Sequence, residues 1–219
     1  MADPYATEAP DLTGRPTGPP PWEAAVGERG GEAVGGAPGS AGARFRVISC
    51  RGIGTLAPFT RVEPALAVLL WLEHAGAERS AEAGNRLLAE LRGAETPIFA
   101  IKQGCVGGPS ERPGCFAIGP ALVLTVLDEA LVGGVTWEQD PDFGYDVPAE
   151  VPGVEGEAER ALMPRLLYGD NDRVYEHAGL VAAKKRERAE LAAALPGLDP
   201  AVGAASGWPP VPTGGEWRD

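Results

Sequence analysis

Basic charge, histidine, cysteine and long apolar runs are all scarce in this chain. Lys and Arg number 19 against 31 Asp and Glu, for a formal net charge of -12. That balance repels nucleic-acid phosphates and anionic lipid headgroups, so neither nucleic acid nor a membrane is expected as a partner. Cys50, Cys105 and Cys115 form no CxxC pair and leave one over from any disulfide. They read as free thiols in a reducing compartment, which excludes a disulfide scaffold. No apolar stretch is long enough to span a bilayer. Met1 is followed by Asp3, Glu8 and Asp11 rather than by a basic and then apolar run, so no secretory signal is read and a cytoplasmic protein is expected.

Glycine (31) and proline (22) are plentiful instead, and they crowd into the two ends. Residues 1–43 run through PTGPPP and GERGGEAVGGAPGS without hydrophobic periodicity, and such text buries too little apolar surface to offset chain entropy. The expectation is a disordered leader over 1–43, one folded domain over 44–197, and a mobile Pro/Gly-rich tail over 198–219.

Within the domain, alternation of Phe45, Val47 and Ile48 with Arg44 and Arg46 predicts a strand. Pro64 opens a nearly all-apolar helix, ALAVLLWLEHAG, and a second helix is predicted from about Ser80 to Arg92 with Leu87, Leu88 and Leu91 on one side. PIFAIKQG reads as an interior strand, and GCVGGPSERPG after it as a loop. Leu122, Val123, Val126, Leu127, Ala130 and Leu131 recur at helical spacing before Gly133 and Gly134. VTWEQ is a short strand, followed by an extended segment that docks through Phe143, Val147 and Val151. Residues 173–195 form an Ala-rich helix ended by Pro196 and Gly197. The fold class is α/β, a small mixed sheet flanked by helices.

Few side chains point to chemistry. His74 and His177 fall in separate helices without a Cys or carboxylate at ligand spacing, so both are read as ordinary, partly exposed histidines. Cys105 follows Gly104 in a loop but has no neighbouring histidine, and is read as a small structural thiol. Glu138, Asp140, Asp142 and Asp146 lack the order of an EF-hand and read as a solvated turn. Residues 184–188, Lys-Lys-Arg-Glu-Arg, are interleaved with acids and read as a solvated helix face rather than a nucleic-acid patch. No catalytic, cofactor-binding or metal-binding residue is assigned.

Four stretches, taken in order, are similar to the C-terminal lobe of ATP-dependent phosphoenolpyruvate carboxykinases. VISCRGIGTLAPFTRVEP, residues 47–64, resembles the strand and turn that lead into a helix, with Gly54, Leu56, Pro58, Thr60 and Arg61 as the matching residues. IFAIKQGCVGGP, residues 98–109, resembles a strand followed by a glycine-rich loop. The most specific is the D-P-x-F-G-x-x-V-P-x-x-x-P-G-V skeleton inside residues 128–154, and MPRLLYGD, residues 163–170, resembles a short Pro-Arg segment.

For an intact family member the resemblance implies ATP and a divalent metal as cofactors, and conversion of oxaloacetate and ATP to phosphoenolpyruvate, ADP and carbon dioxide. Family members hold the triphosphate in a P-loop, whose Lys and Ser/Thr reach phosphate and metal. No G-x-x-x-x-G-K-[ST] occurs in this chain, and Arg51 stands where the family pattern favours an acid. The expectation is therefore a lobe without cofactors of its own, inactive by itself. Its partner would be a missing nucleotide-binding lobe or a second copy of the chain. The alternative reading is a noncatalytic protein-interaction module that keeps the lobe's packing. If the lobe stands alone, the strand Ile98–Ile101 and the helix ALAVLLWL are expected to be left uncovered, with Trp71 near the surface.

Overall fold

The computed structural model describes residues 28, 31–34, 44–50, 55–102, 104–108 and 113–207. Most of the expected leader, the distal tail, Arg51 and Gly54 lie outside them. The described residues form a six-stranded mixed sheet with helices on both faces, the expected class. The strands are β1 (Gly31–Ala33), β2 (Phe45–Cys50), β3 (Phe59–Arg61), β4 (Ile98–Lys102), β7 (Thr136–Gln139) and β8 (Asp146–Glu150), in the order β1-β2-β4-β3-β8-β7. β1, β2 and β4 run parallel, and β3, β8 and β7 are added antiparallel.

Period-two alternation sorts the side chains between two cores. Phe45 and Val47 of β2 and Phe99 and Ile101 of β4 point to one face, under α3 (Pro120–Val132), α4 (Glu157–Leu162) and α5 (Pro164–Asp170). There Phe99 packs 5.1 Å from Phe59 and 6.2 Å, stacked, from Trp137. Ile48, Cys50, Ile98 and Ala100 point to the other face. α1 (Pro64–His74), α2 (Ala81–Gly93), α6 (Val174–Ala193) and α7 (Pro200–Ala204) cover that side. With both faces covered, β4 is buried at all five positions, which explains the apolar run Ile98–Ile101 and leaves Lys102 buried at its end.

Helix boundaries follow local chemistry. The Ser80 hydroxyl accepts the Ala83 N–H at 3.1 Å and caps α2. Pro64 and Pro120 occupy first turns, where a missing N–H costs nothing. Gly133, at φ 77°, ends α3.

Several expectations are corrected. Ile98–Ile101 is not left open, because α1 packs on Ile98 and Ala100 and α3, α4 and α5 pack on Phe99 and Ile101, and the apolar positions of α1 are closed over in turn by α2, α6 and α7. Leu66, Ala67, Val68, Leu69, Leu70 and Leu72 are buried, and Trp71 is half-buried. The glycine-rich stretch read as a loop contains a hairpin, β5 (Gly104–Val106) against β6 (Phe116–Ile118). Its close approach needs glycine, since a Cβ on Gly107 would meet the Gly114 carbonyl oxygen at 2.4 Å. Inside the expected leader, Gly31–Ala33 pairs with β2. Inside the expected tail, Asp199 caps α7 by accepting the Ala201 N–H at 2.8 Å, and Val202 is fully buried. Val34 anchors the first segment, and Leu198, Val202 and Ala205 with the hydrogen bonds of Asn85 anchor the second, signals too sparse for periodicity to show.

Truncation after Pro196 should therefore lower the unfolding free energy by at least about 1.5–3 kcal/mol, the value of burying one aliphatic side chain such as Val202, since Leu198 and Ala205 leave the core with it. Urea denaturation of the truncated and full chains checks this, and coincident midpoints would contradict it.

Candidate functional site

Two groups of buried ionisable side chains stand out, both on the face covered by α1 and α6. The first lies at the carboxyl ends of the parallel pair β2 and β4, where open α/β sheets commonly place ligands. Cys50 and Lys102 are register partners there, the last residues of their strands. Lys102 is 1% exposed, and its ammonium donates to the Cys105 carbonyl at 2.8 Å. No carboxylate pairs with it among the described residues. Burial lowers its pKa to about 8, while the nearby Cys105, Cys115 and Cys50 oppose that shift. Burial also pushes the Cys50 thiol up to about 12, so Cys50 remains a neutral thiol and not a nucleophile. At neutral pH this corner holds one largely protonated amine among thiols, a fixed positive charge that also has access to its neutral form.

The second group joins α1, α6 and the turn between β7 and β8. Arg188 Nε donates to Glu73 Oε1 at 2.7 Å, and Lys184 Nζ lies 3.3 Å from the same oxygen. Lys184 also bonds the exposed Glu187 at 3.1 Å. Arg188 is 1% exposed, and its guanidinium stands 5.2 Å over the Phe143 ring. Phe143 stacks on Tyr145 at 5.5 Å, and the Tyr145 hydroxyl accepts the Ala57 N–H at 3.4 Å. Burial raises the pKa of the Tyr145 hydroxyl, so it stays a neutral phenol.

The turn itself is Asp140-Pro-Asp-Phe-Gly144. Asp140 accepts the N–H groups of Asp142 at 2.9 Å and Phe143 at 2.7 Å, and its own carbonyl accepts the Gly144 N–H at 2.8 Å. Gly144 sits at φ 76°, a conformation that favours glycine. Burial raises the Asp140 pKa, with the two backbone N–H groups opposing. His177 on α6 faces the turn, its Nδ1 3.8 Å from the Asp142 carboxylate. Burial lowers its pKa, with Asp142 and Asp140 pulling the other way.

These placements correct three sequence readings. Asp140 belongs to a buried cap rather than a solvated turn. His177 is buried against carboxylates contributed by a distant segment, which ligand spacing along one helix could not reveal. Residues 184–188 do not form a wholly solvated face, because Lys184 and Arg188, at i and i+4, turn inward to Glu73. The signal was present as a four-residue spacing of cations on a helix and a lone acid, Glu73, in the most apolar helix. Among the other expected residues, Cys105 is half-buried in β5 and His74 is exposed. Arg61 donates to Asp146 at 2.7 and 3.0 Å and covers Trp137, while Thr60 is buried. None of the three cysteines is in a disulfide. Among the described residues no group of three or more His, Cys, Asp or Glu is arranged to hold a metal ion, and no helix is long and apolar enough to cross a membrane.

No family model matches the chain. A phosphoenolpyruvate carboxykinase (ATP) from Novosphingobium aromaticivorans is 29% identical over 92 residues, covering 41% of this chain and 17% of that protein. The chain is thus similar in part to that carboxykinase, and the match spans less than a fifth of the relative's length.

The glycine-rich hairpin is secured from outside by Arg173. Its Nε and Nη2 fork onto Glu176 at 2.9 and 2.8 Å, its Nη1 donates to the Gly107 carbonyl at 2.6 Å, and its guanidinium lies 4.7 Å over Tyr168. The segments that carry the resemblance are therefore tied to the body of the domain by charged side chains already engaged with protein.

Glu73→Gln should cost about 3–5 kcal/mol, because it leaves Arg188 buried without a counter-charge and Lys184 with the exposed Glu187 alone. Glu73→Leu combined with Arg188→Met should recover much of that loss, since apolar replacement of a buried ion pair is often neutral. Guanidinium denaturation reads both, and a single mutant as stable as wild type would refute the account.

His177 supplies a pH dependence with a definite sign. A base with a depressed folded-state pKa leaves the unfolded chain binding the extra proton. Its contribution is full above the ordinary value near 6.5 and is lost as pH falls through the folded pKa. Asp140 acts oppositely and at lower pH, because its raised pKa makes the fold gain protons first and regain stability as pH falls towards 3.8. Stability should therefore decline as pH falls below about 6.5, and His177→Gln should flatten that decline. An unchanged slope in the variant's denaturation midpoints would show that His177 is not responsible.

Proposed function

We propose that this chain is the C-terminal-lobe portion of a carboxykinase-like protein, kept as a folded unit that does not bind ATP or catalyse by itself. The observation that carries the reading is the state of the D-P-x-F-G segment, the most specific part of the resemblance. Asp140 caps its own turn, Phe143 lies under Arg188, and Asp146 takes the fork of Arg61. Asp140 and Asp146 are thus engaged within the sheet edge, and Phe143 seats that edge against α6. The partial match to a carboxykinase supports the family. The lack of a P-loop sequence supports inactivity, because that loop supplies the backbone N–H cradle and the lysine for a triphosphate.

Calorimetric titration of the chain with magnesium ATP tests the proposal. The expected result is no binding tighter than about 100 μM, equivalent to about -5.5 kcal/mol. Magnesium-dependent heat above that affinity, or carboxykinase turnover of oxaloacetate with ATP, would overturn it.

A further inference from the structure

The outer edge of β2 carries a strand unlike the others. β1 has three residues, forms the end of the sheet and pairs only with β2, Gly31 opposite Phe45 and Ala33 opposite Val47. It is read out by two side chains. Glu32 lies 3.9 Å from Arg46, whose side chain is 13% exposed and also holds Glu90 at 2.5 Å. Val34, just past the strand, donates its N–H to the Val47 carbonyl at 2.9 Å and buries its side chain in the same core cluster as Ile48. The seat is thus a β2 edge whose backbone groups β1 alone pairs, a cation and one aliphatic recess, the elements of strand addition. It accepts an extended segment with an acid two residues before an aliphatic side chain.

We propose that this edge is an exchangeable strand-binding groove, filled by residues 31–34 of the same chain and, when they lift away, by residues 31–34 of a second copy. One buried side chain, one ion pair and one short ladder hold the strand, whereas β2 beside it buries Phe45, Val47, Ile48 and Cys50. Local opening draws on such lightly held segments. A second copy presents the same Glu32 and Val34 to the same Arg46 and recess, so exchange forms a closed, symmetric pair with no new contact required. Residues 34–44 tether β1 to β2, and the intramolecular strand competes at the effective concentration of that tether.

Full-length Val34→Asp, which disfavours its own strand, should bind a fluorescent peptide of residues 29–37 at least about ten-fold more tightly than wild type does, because wild type competes in cis. The same peptide carrying Glu32→Lys should bind at least about ten-fold more weakly. Sedimentation of wild type at roughly millimolar concentration should show a dimer that Val34→Asp lacks. Equal peptide binding by the two chains, or a strict wild-type monomer, overturns the proposal. If Val34→Asp does not fold, amide exchange on wild type decides: exchange at Val34 about 100-fold faster than at Ile101 supports it, and equal rates overturn it.

Discussion

The Glu73 carboxylate is the single charge on which the arrangement of this domain depends. It projects from α1, the most apolar helix, into a region where both Lys184 and Arg188 of α6 converge on one of its oxygens. The other oxygen, Oε2, and Arg188 Nη2 are buried without partners. Nε and Nη2 are the two donors with which a guanidinium grips a carboxylate side-on, so this fork is half closed. The desolvation of three charges is substantial, and their attraction offsets it only while α1 and α6 stay in register. The pair thus specifies helix placement more than it adds stability, while the leucines of α1 supply most of the burial.

From that contact the order propagates outward through aromatic faces. Arg188 covers Phe143, Phe143 stacks on Tyr145, and Tyr145 reaches the backbone ahead of β3 through Ala57. A charge on α6 is linked in this way to the turn at the far edge of the sheet and to the segment that leads into it. Cys50 lies between the two buried groups: Lys102, Lys184 and Arg188 all favour its thiolate, and Glu73 opposes them, yet burial outweighs the cations. With three buried cations against Glu73, this interior is locally positive, whereas the chain as a whole carries a formal charge of -12. Burying the cations within an acidic protein lowers part of their long-range cost, since the surrounding field is negative.

The elements were readable because their periodicities were strong. α1, α2, α3 and α6, together with β2, β4 and β7, follow from apolar spacing, prolines in first turns and glycine stops. The short pieces were not readable: β5, β6 and α7 depend on long-range docking of Val106, Phe116 and Val202, and local text carries no record of what they meet. The site was the least legible part. Interleaved charges on a helix ordinarily signal solvent, and here Arg186 and Glu187 obey that rule while Lys184 and Arg188 break it. What decides between them is one acid 115 residues away from Arg188. No periodicity records such a pairing.

The D-P-x-F-G segment shows how far packing by itself can fix a sequence pattern. Asp140 satisfies two backbone donors, Pro141 restricts the chain before them, Gly144 takes a left-handed conformation, and Phe143 offers its face to a buried cation. Each identity is demanded by the turn and its seat against α6, independently of any ligand. Substituting Asp140 leaves two buried N–H groups unpaired, and substituting Gly144 strains the backbone. Folding alone is therefore sufficient to explain this pattern in a chain whose text contains no phosphate cradle. The resemblance is a record of how the sheet edge is locked, and activity must be sought in the groups that packing does not consume, of which Lys102 is the clearest.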